Sequence, residues 1–123
     1  AHAYRVGQAL SPLTAQGIWV VASGNITHNL GDWHEAASTG GQTPAYVQGF
    51  ADWVHDQLTA HQHTQLLNYR QQSADGRRAH PSEDHLLPLF VALGAAGPEA
   101  RAQAFYRGIS DFVISMDGYA FLN

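Results

Sequence analysis

The stretch Ile18-Trp19-Val20-Val21-Ala22-Ser23-Gly24-Asn25 sets the expectation for the fold. Its first five residues are apolar and do not alternate with polar ones. A strand with one wet face alternates, whereas a strand covered on both faces, as in a parallel or mixed sheet, reads as a continuous apolar run. Ser23, Gly24 and Asn25 close the run with turn chemistry. In open α/β sheets ligands bind in the crevice beyond the carboxyl ends of strands, so residues 23–29 are expected to carry function.

Working outward, Val6, Ala9, Leu10 and Leu13 recur at helical spacing and predict a helix over residues 3–13, stopped by Gly17. Residues 31–42, rich in glycine, serine and threonine, read as a loop, and Thr43-Pro44 as a helix start. Val47, Phe50, Ala51, Val54 and Leu58 give the following helix one apolar face. Residues 71–78 read as an exposed turn. Ser82 is expected to cap a helix with Glu83 and Asp84 in its first turn, running to about Leu93 and ending at Gly94, with Pro88 inside it. Residues 104–109 and 112–121 read as strands, and a short helical turn over 98–103 is left open. The fold class that follows is α/β, a mixed central sheet flanked by helices.

The chain has 123 residues, enough for one domain with a real core. Hydrophobic residues make up 45% and charged ones 13%, so part of its apolar surface is expected to face another polypeptide. The net charge is -4 and lysine is absent, which removes the basic footprint of a nucleic-acid or anionic-membrane binder. There is no cysteine, hence no disulfide framework or thiolate metal site, and no apolar run long enough to span a membrane. A cytoplasmic location is the expectation.

Eight histidines against six arginines direct attention to imidazole, a metal ligand and a proton carrier near neutral pH. One constellation is Ser23-Gly24-Asn25-Ile26-Thr27-His28-Asn29-Leu30, which puts His28 just past the expected strand. His28 either exchanges protons with a ligand or caps the turn through hydrogen bonds. The other is His80-Pro81-Ser82-Glu83-Asp84-His85-Leu86-Leu87-Pro88-Leu89, two imidazoles and two carboxylates in six residues. These donors suit iron, zinc or manganese but match no structural zinc spacing, and the same string also reads as a solvated acidic helix start. His55, His61 and His63 are assigned to solvent, and Trp19 and Trp53 to packing.

Together the two segments resemble the carboxy-terminal half of the class III extradiol ring-cleavage dioxygenases, in their DOPA-dioxygenase-like branch. The resemblance rests on residues 17–25, His28-Asn29-Leu30, Trp33-His34, Pro81, His85-Leu86-Leu87-Pro88-Leu89, Ala92-Leu93-Gly94-Ala95 and Ile114-Ser115-Met116-Asp117. It covers nearly the whole chain, so residues 1–123 are expected to be the carboxy-terminal half of such a catalytic domain. It implies a mononuclear non-haem iron(II) centre, with zinc a possible bound metal, acting on a catechol and dioxygen. It further implies His85 as a metal ligand and His28 as acid or base beside the metal. Asn25, Asn29 and His34 are the expected substrate contacts, and His80 is expected to lie behind the ligands or at the surface.

This chain has Glu83 and Asp84 where the branch usually has proline and glutamate, so either carboxylate competes with His85 as the expected ligand. Family members are about twice this length, with further histidine ligands in an amino-terminal half. Completion of the fold and of the site by that half or by a partner chain is therefore expected, with a homo-oligomer also open. Two other classes stay open: a non-catalytic metal or small-ligand binding protein, and a zinc hydrolase.

Overall fold

The computed structural model describes residues 1–123. Its core is built on α3 (Ala45–Thr59), whose Val47, Phe50, Ala51, Val54 and Leu58 are all buried, as their spacing predicts. Each large apolar side chain so buried contributes about 1.5–3 kcal/mol relative to exposure. Around them close Leu66, Tyr69, Ala79, Leu86, Phe90, Leu93 and Val113. Helix α1 (His2–Thr14) lies against α7 (Leu87–Ala96) at very short range. A Cβ on Gly7 would collide with the Val91 carbonyl, and one on Gly94 with the Tyr4 carbonyl, so the contact depends on two side-chain-free positions facing each other's backbone.

The fold is mixed α and β, as expected. The β structure consists of two small antiparallel sheets. In one, β1 (Thr27–His28) pairs with β4 (Ile114–Ser115), which also pairs with β3 (Ile109–Ser110). In the other, β2 (Arg101–Tyr106) pairs with β5 (Gly118–Leu122). The expected strands over 104–109 and 112–121 thus exist with shifted bounds and an extra short strand; of residues 98–103, Pro98 and Glu99 form a turn and the last three belong to β2.

The expected strand over 18–22 is not formed. From Trp19 to Gly24 no backbone group is paired, and Trp19 is 88% and Val21 83% exposed, so Trp19 does not pack as expected. A strand exists by pairing, and residues 19–22 pair with no other segment of this chain.

Three further expectations are corrected. Residues 31–42 hold a 3-10 turn (Leu30–Asp32) and α2 (Trp33–Ser38). After α4 (His63–Leu67), residues 71–78 run through α5 (Tyr69–Gln72) into α6 (Ala74–Ala79), where Ser73 caps the helix by accepting from Gly76 N at 3.1 Å and Gly76 lies against Phe50 and Tyr69. Ser82 caps nothing: its hydroxyl donates to Asp84 Oδ1 at 2.5 Å. Helix α7 starts only at Leu87 with Pro88 in its first turn, where a missing N–H costs nothing. It ends at Ala96, before Gly97 with φ 90°.

Candidate active site

Two segments from distant parts of the chain meet beside the core. The first runs from Gly24 to His28 and is held from several sides. Asn25 N–H donates to the His85 carbonyl at 2.8 Å, and its side-chain amide donates to Met116 Sδ at 3.4 Å. Gly24 lies so close to His85 that a Cβ there would strike the His85 carbonyl. Thr27 is fully buried and its hydroxyl donates to the Val47 carbonyl at 3.1 Å, while His28 pairs with Ile114 in the sheet. The second segment, residues 80–86, approaches α7 through a turn in which the amides of Leu86 and Leu87 donate to the Glu83 carbonyl.

This meeting stacks the His28 and His85 imidazoles, centroids 3.5 Å apart and planes inclined by 16°. The His85 side chain is 40% exposed, and its Nε2 lies 3.3 Å from Asp84 Oδ2. Asp84 is held below the usual carboxylate range, first by the Ser82 hydroxyl. Burial, and then the facing His85, lower the His28 pKa from its ordinary value, so neutral His28 is favoured near pH 7. A neutral imidazole is the form that accepts a proton.

His85 also borders a cleft of about 110 Å³, together with Asn25, Phe105, Asp117, Tyr119 and Phe121. The Asp117 carboxylate accepts from Arg107 Nε at 2.9 Å and Gly108 N at 3.0 Å, and Arg107 also reaches Asp52 Oδ1 on α3 at 2.7 Å. Asp117 and Asp52 together raise the pKa of Arg107 and hold it charged. Tyr119 donates to or accepts from His55 Nδ1 at 3.1 Å, and burial raises its pKa.

Of the expected substrate contacts, Asn25 borders the cleft and the other two stand away from it. The Asn29 amide donates to the Arg78 carbonyl at 2.6 Å and to Asp32 Oδ2 at 3.2 Å, in a cluster where Tyr46 and Arg78 also donate to Asp32. His34 is exposed on α2 with its ring edge-on to Trp33. His55 and His63 are not purely solvent residues, because each meets a distant tyrosine: Tyr119 for His55, and Tyr4, whose hydroxyl lies 3.4 Å from His63 Nδ1. Nothing in the local sequence around either histidine points to those partners. His80 is not at the surface at all but fully buried.

The donors present do not by themselves make a metal centre, since no three His, Cys, Asp or Glu side chains converge on one point. Nor can His28 and His85 share an ion as they stand. Both would have to aim in-plane lone pairs at one point about 2.1 Å away, and near-parallel rings 3.5 Å apart cannot do so.

The model of the catalytic LigB subunit of aromatic ring-opening dioxygenase matches residues 1–113. The chain belongs to the LigB family. Among relatives of this LigB chain, the 4,5-DOPA dioxygenase extradiol of Mirabilis jalapa is 35% identical over 106 residues, covering 86% of the chain and 39% of the relative. That of Beta vulgaris is 30% identical over 120 residues, covering 98% and 44%. The crystal structure of an uncharacterized protein from Escherichia coli K12 superposes with a TM-score of 0.80 at 30% identity, covering 98% of this chain and 49% of that one. The chain spans less than half the length of the curated relatives it matches. No helix is long and apolar enough to cross a membrane.

Proposed function

We propose that this chain contributes to the active site of an extradiol dioxygenase acting on a DOPA-like catechol, with His85 as one metal ligand and His28 as acid or base. The observation that carries the reading is the His28–His85 stack beside an aromatic-walled cleft. Iron(II) is the metal proposed, with zinc as the alternative. The other ligands come from polypeptide beyond these residues, an amino-terminal half or a partner chain.

The same polypeptide would pair with the free backbone of residues 19–24 and cover Trp19 and Val21. Small ligand pockets commonly measure about 300–1,000 Å³, so a cleft of about 110 Å³ fits a site with one wall still to be added. Residues Asn25, Phe105 and Phe121 then face a planar substrate, one with an amide and two with aromatic rings. Asn29 and His34 reach a substrate only if it extends past the cleft edge. Neutral His28 takes a proton from a catechol hydroxyl and returns it later in the reaction, so that its charge is restored with each turnover.

The experiment uses the chain combined with the amino-terminal half of a LigB relative, reduced and supplied with iron(II) and a panel of catechols including DOPA. Oxygen uptake and product mass are followed together. One dioxygen consumed per ring, with both atoms found in a ring-opened product, supports the reading. Ligand binding without added oxygen across the panel favours a non-catalytic binding protein instead.

A further inference from the structure

His80 is fully buried, yet no role in the proposed chemistry calls on it. Its Nε2 lies 2.6 Å from the carbonyl oxygen of Ile26. A carbonyl can only accept, so Nε2 carries the proton and Nδ1 holds a bare lone pair. That lone pair has no partner. The ring stands edge-on to Phe50 and Tyr69, with centroids 5.8 and 6.1 Å away, and its own carbonyl accepts from the Arg70 guanidinium at 2.8 Å. Leaving a buried acceptor unsatisfied is destabilising, and an apolar side chain of similar size would avoid that cost. A buried imidazole with one strong bond and one orphan atom therefore needs a reason beyond filling space.

Its position supplies one. The turn carrying Glu83, Asp84 and His85 is tied to consecutive residues of the other segment at both ends: His80 Nε2 bonds Ile26 O, and His85 O accepts from Asn25 N. Residues 25 and 26 lead directly into Thr27 and His28. The two bonds thus fix the start and finish of one segment against the root of the other, and the ring stack lies just beyond them.

The geometry points to His80 as the positioning residue that holds the His28 and His85 rings in register, acting through its Nε2–H bond to the Ile26 carbonyl. This rests on the proposed function only in treating that pair as functional. The bracket itself is independent of any turnover. Depression of the His80 pKa by burial to about 4 agrees with a ring that is neutral near pH 7 and donates through one nitrogen. Glutamine can keep a donor near Nε2; methionine has similar bulk and no donor.

The test uses nitrogen-15 labelled chain, with no metal or substrate. In the parent protein the His80 ring signals should report a neutral imidazole protonated at Nε2 from pH 6 to 8, and a proton on Nδ1 would overturn the assignment. In His80→Met the nuclear Overhauser contact between the His28 and His85 rings should vanish. The Asn25 amide should exchange at least tenfold faster, while amides inside α3 keep their protection. His80→Gln should restore both signals. A methionine variant that keeps the ring contact and the Asn25 protection makes His80 mere core filling and overturns the proposal. Should the methionine variant not fold, the glutamine variant decides alone: parent-like ring contact supports the bracket, and its loss in a folded protein overturns it.

Discussion

The imidazoles of His28 and His85 lie face to face at 3.5 Å although 57 positions separate them in sequence, and that stacking keeps them from binding one ion together. Parallel rings cannot point two lone pairs at one ion, which is compatible with the proposed division into a ligand, His85, and a proton carrier, His28. Two adjacent imidazolium ions would repel, which favours keeping at least one of them neutral.

The proposed iron site needs about three protein ligands, and for it this chain offers the His85 imidazole with the Asp84 carboxylate beside it. Iron(II) titrated into the isolated chain should bind more weakly than micromolar, and adding the amino-terminal half of a LigB relative should tighten it strongly. Micromolar binding by the isolated chain would show that these residues already form a site.

Stability should depend on pH through His80. Its folded pKa, about 4, lies below the unfolded value of 6.5, so the unfolded state binds more protons between those limits. Stability is therefore fully present above pH 6.5 and is lost as the pH falls toward 4. The full shift corresponds to about 3 kcal/mol. Denaturant midpoints measured from pH 7.5 to 4 should fall for the parent and fall distinctly less for His80→Gln. Equal slopes would contradict this origin.

How far the sequence disclosed this arrangement can be followed residue by residue. The face of α3 was legible because helical periodicity and burial coincide over four turns. The pairing of His28 with His85 came from family resemblance, not from spacing, since no local rule brings positions 28 and 85 together. Residues 18–22 have strand composition, but a strand also needs a pairing partner, and residues 19–22 pair with no other segment. Ser82 satisfied the pattern of a helix cap, yet its hydroxyl went to Asp84 while Pro88 drew the helix start downstream. His80 gave no sign of burial, because its partner is a backbone carbonyl 54 residues away.

Two helix-interior glycines should respond oppositely to alanine. Replacing glycine in a helix normally gains about 1 kcal/mol. At Gly94 the new methyl meets the Tyr4 carbonyl of α1, and forcing the helices apart costs about 1–3 kcal/mol. At Gly49 it meets only the Asp75 carboxylate, a side-chain end that can swing aside. Thermal unfolding should show Gly94→Ala melting below the parent and Gly49→Ala at or above it. A higher Tm for Gly94→Ala would mean that α1 and α7 do not sit at this distance.

Separate roles for the two stacked histidines are tested most directly by measuring metal content and turnover together, in the completed assembly, for His85→Ala and His28→Ala. His85→Ala should come off the column without metal and without activity. His28→Ala should keep its metal and turn over roughly a hundredfold or more slowly, the usual scale of general acid–base catalysis. Metal retained after His85→Ala would contradict the assignment and pass the ligand role to Asp84 or Glu83, and undiminished turnover in His28→Ala would remove it from the chemistry.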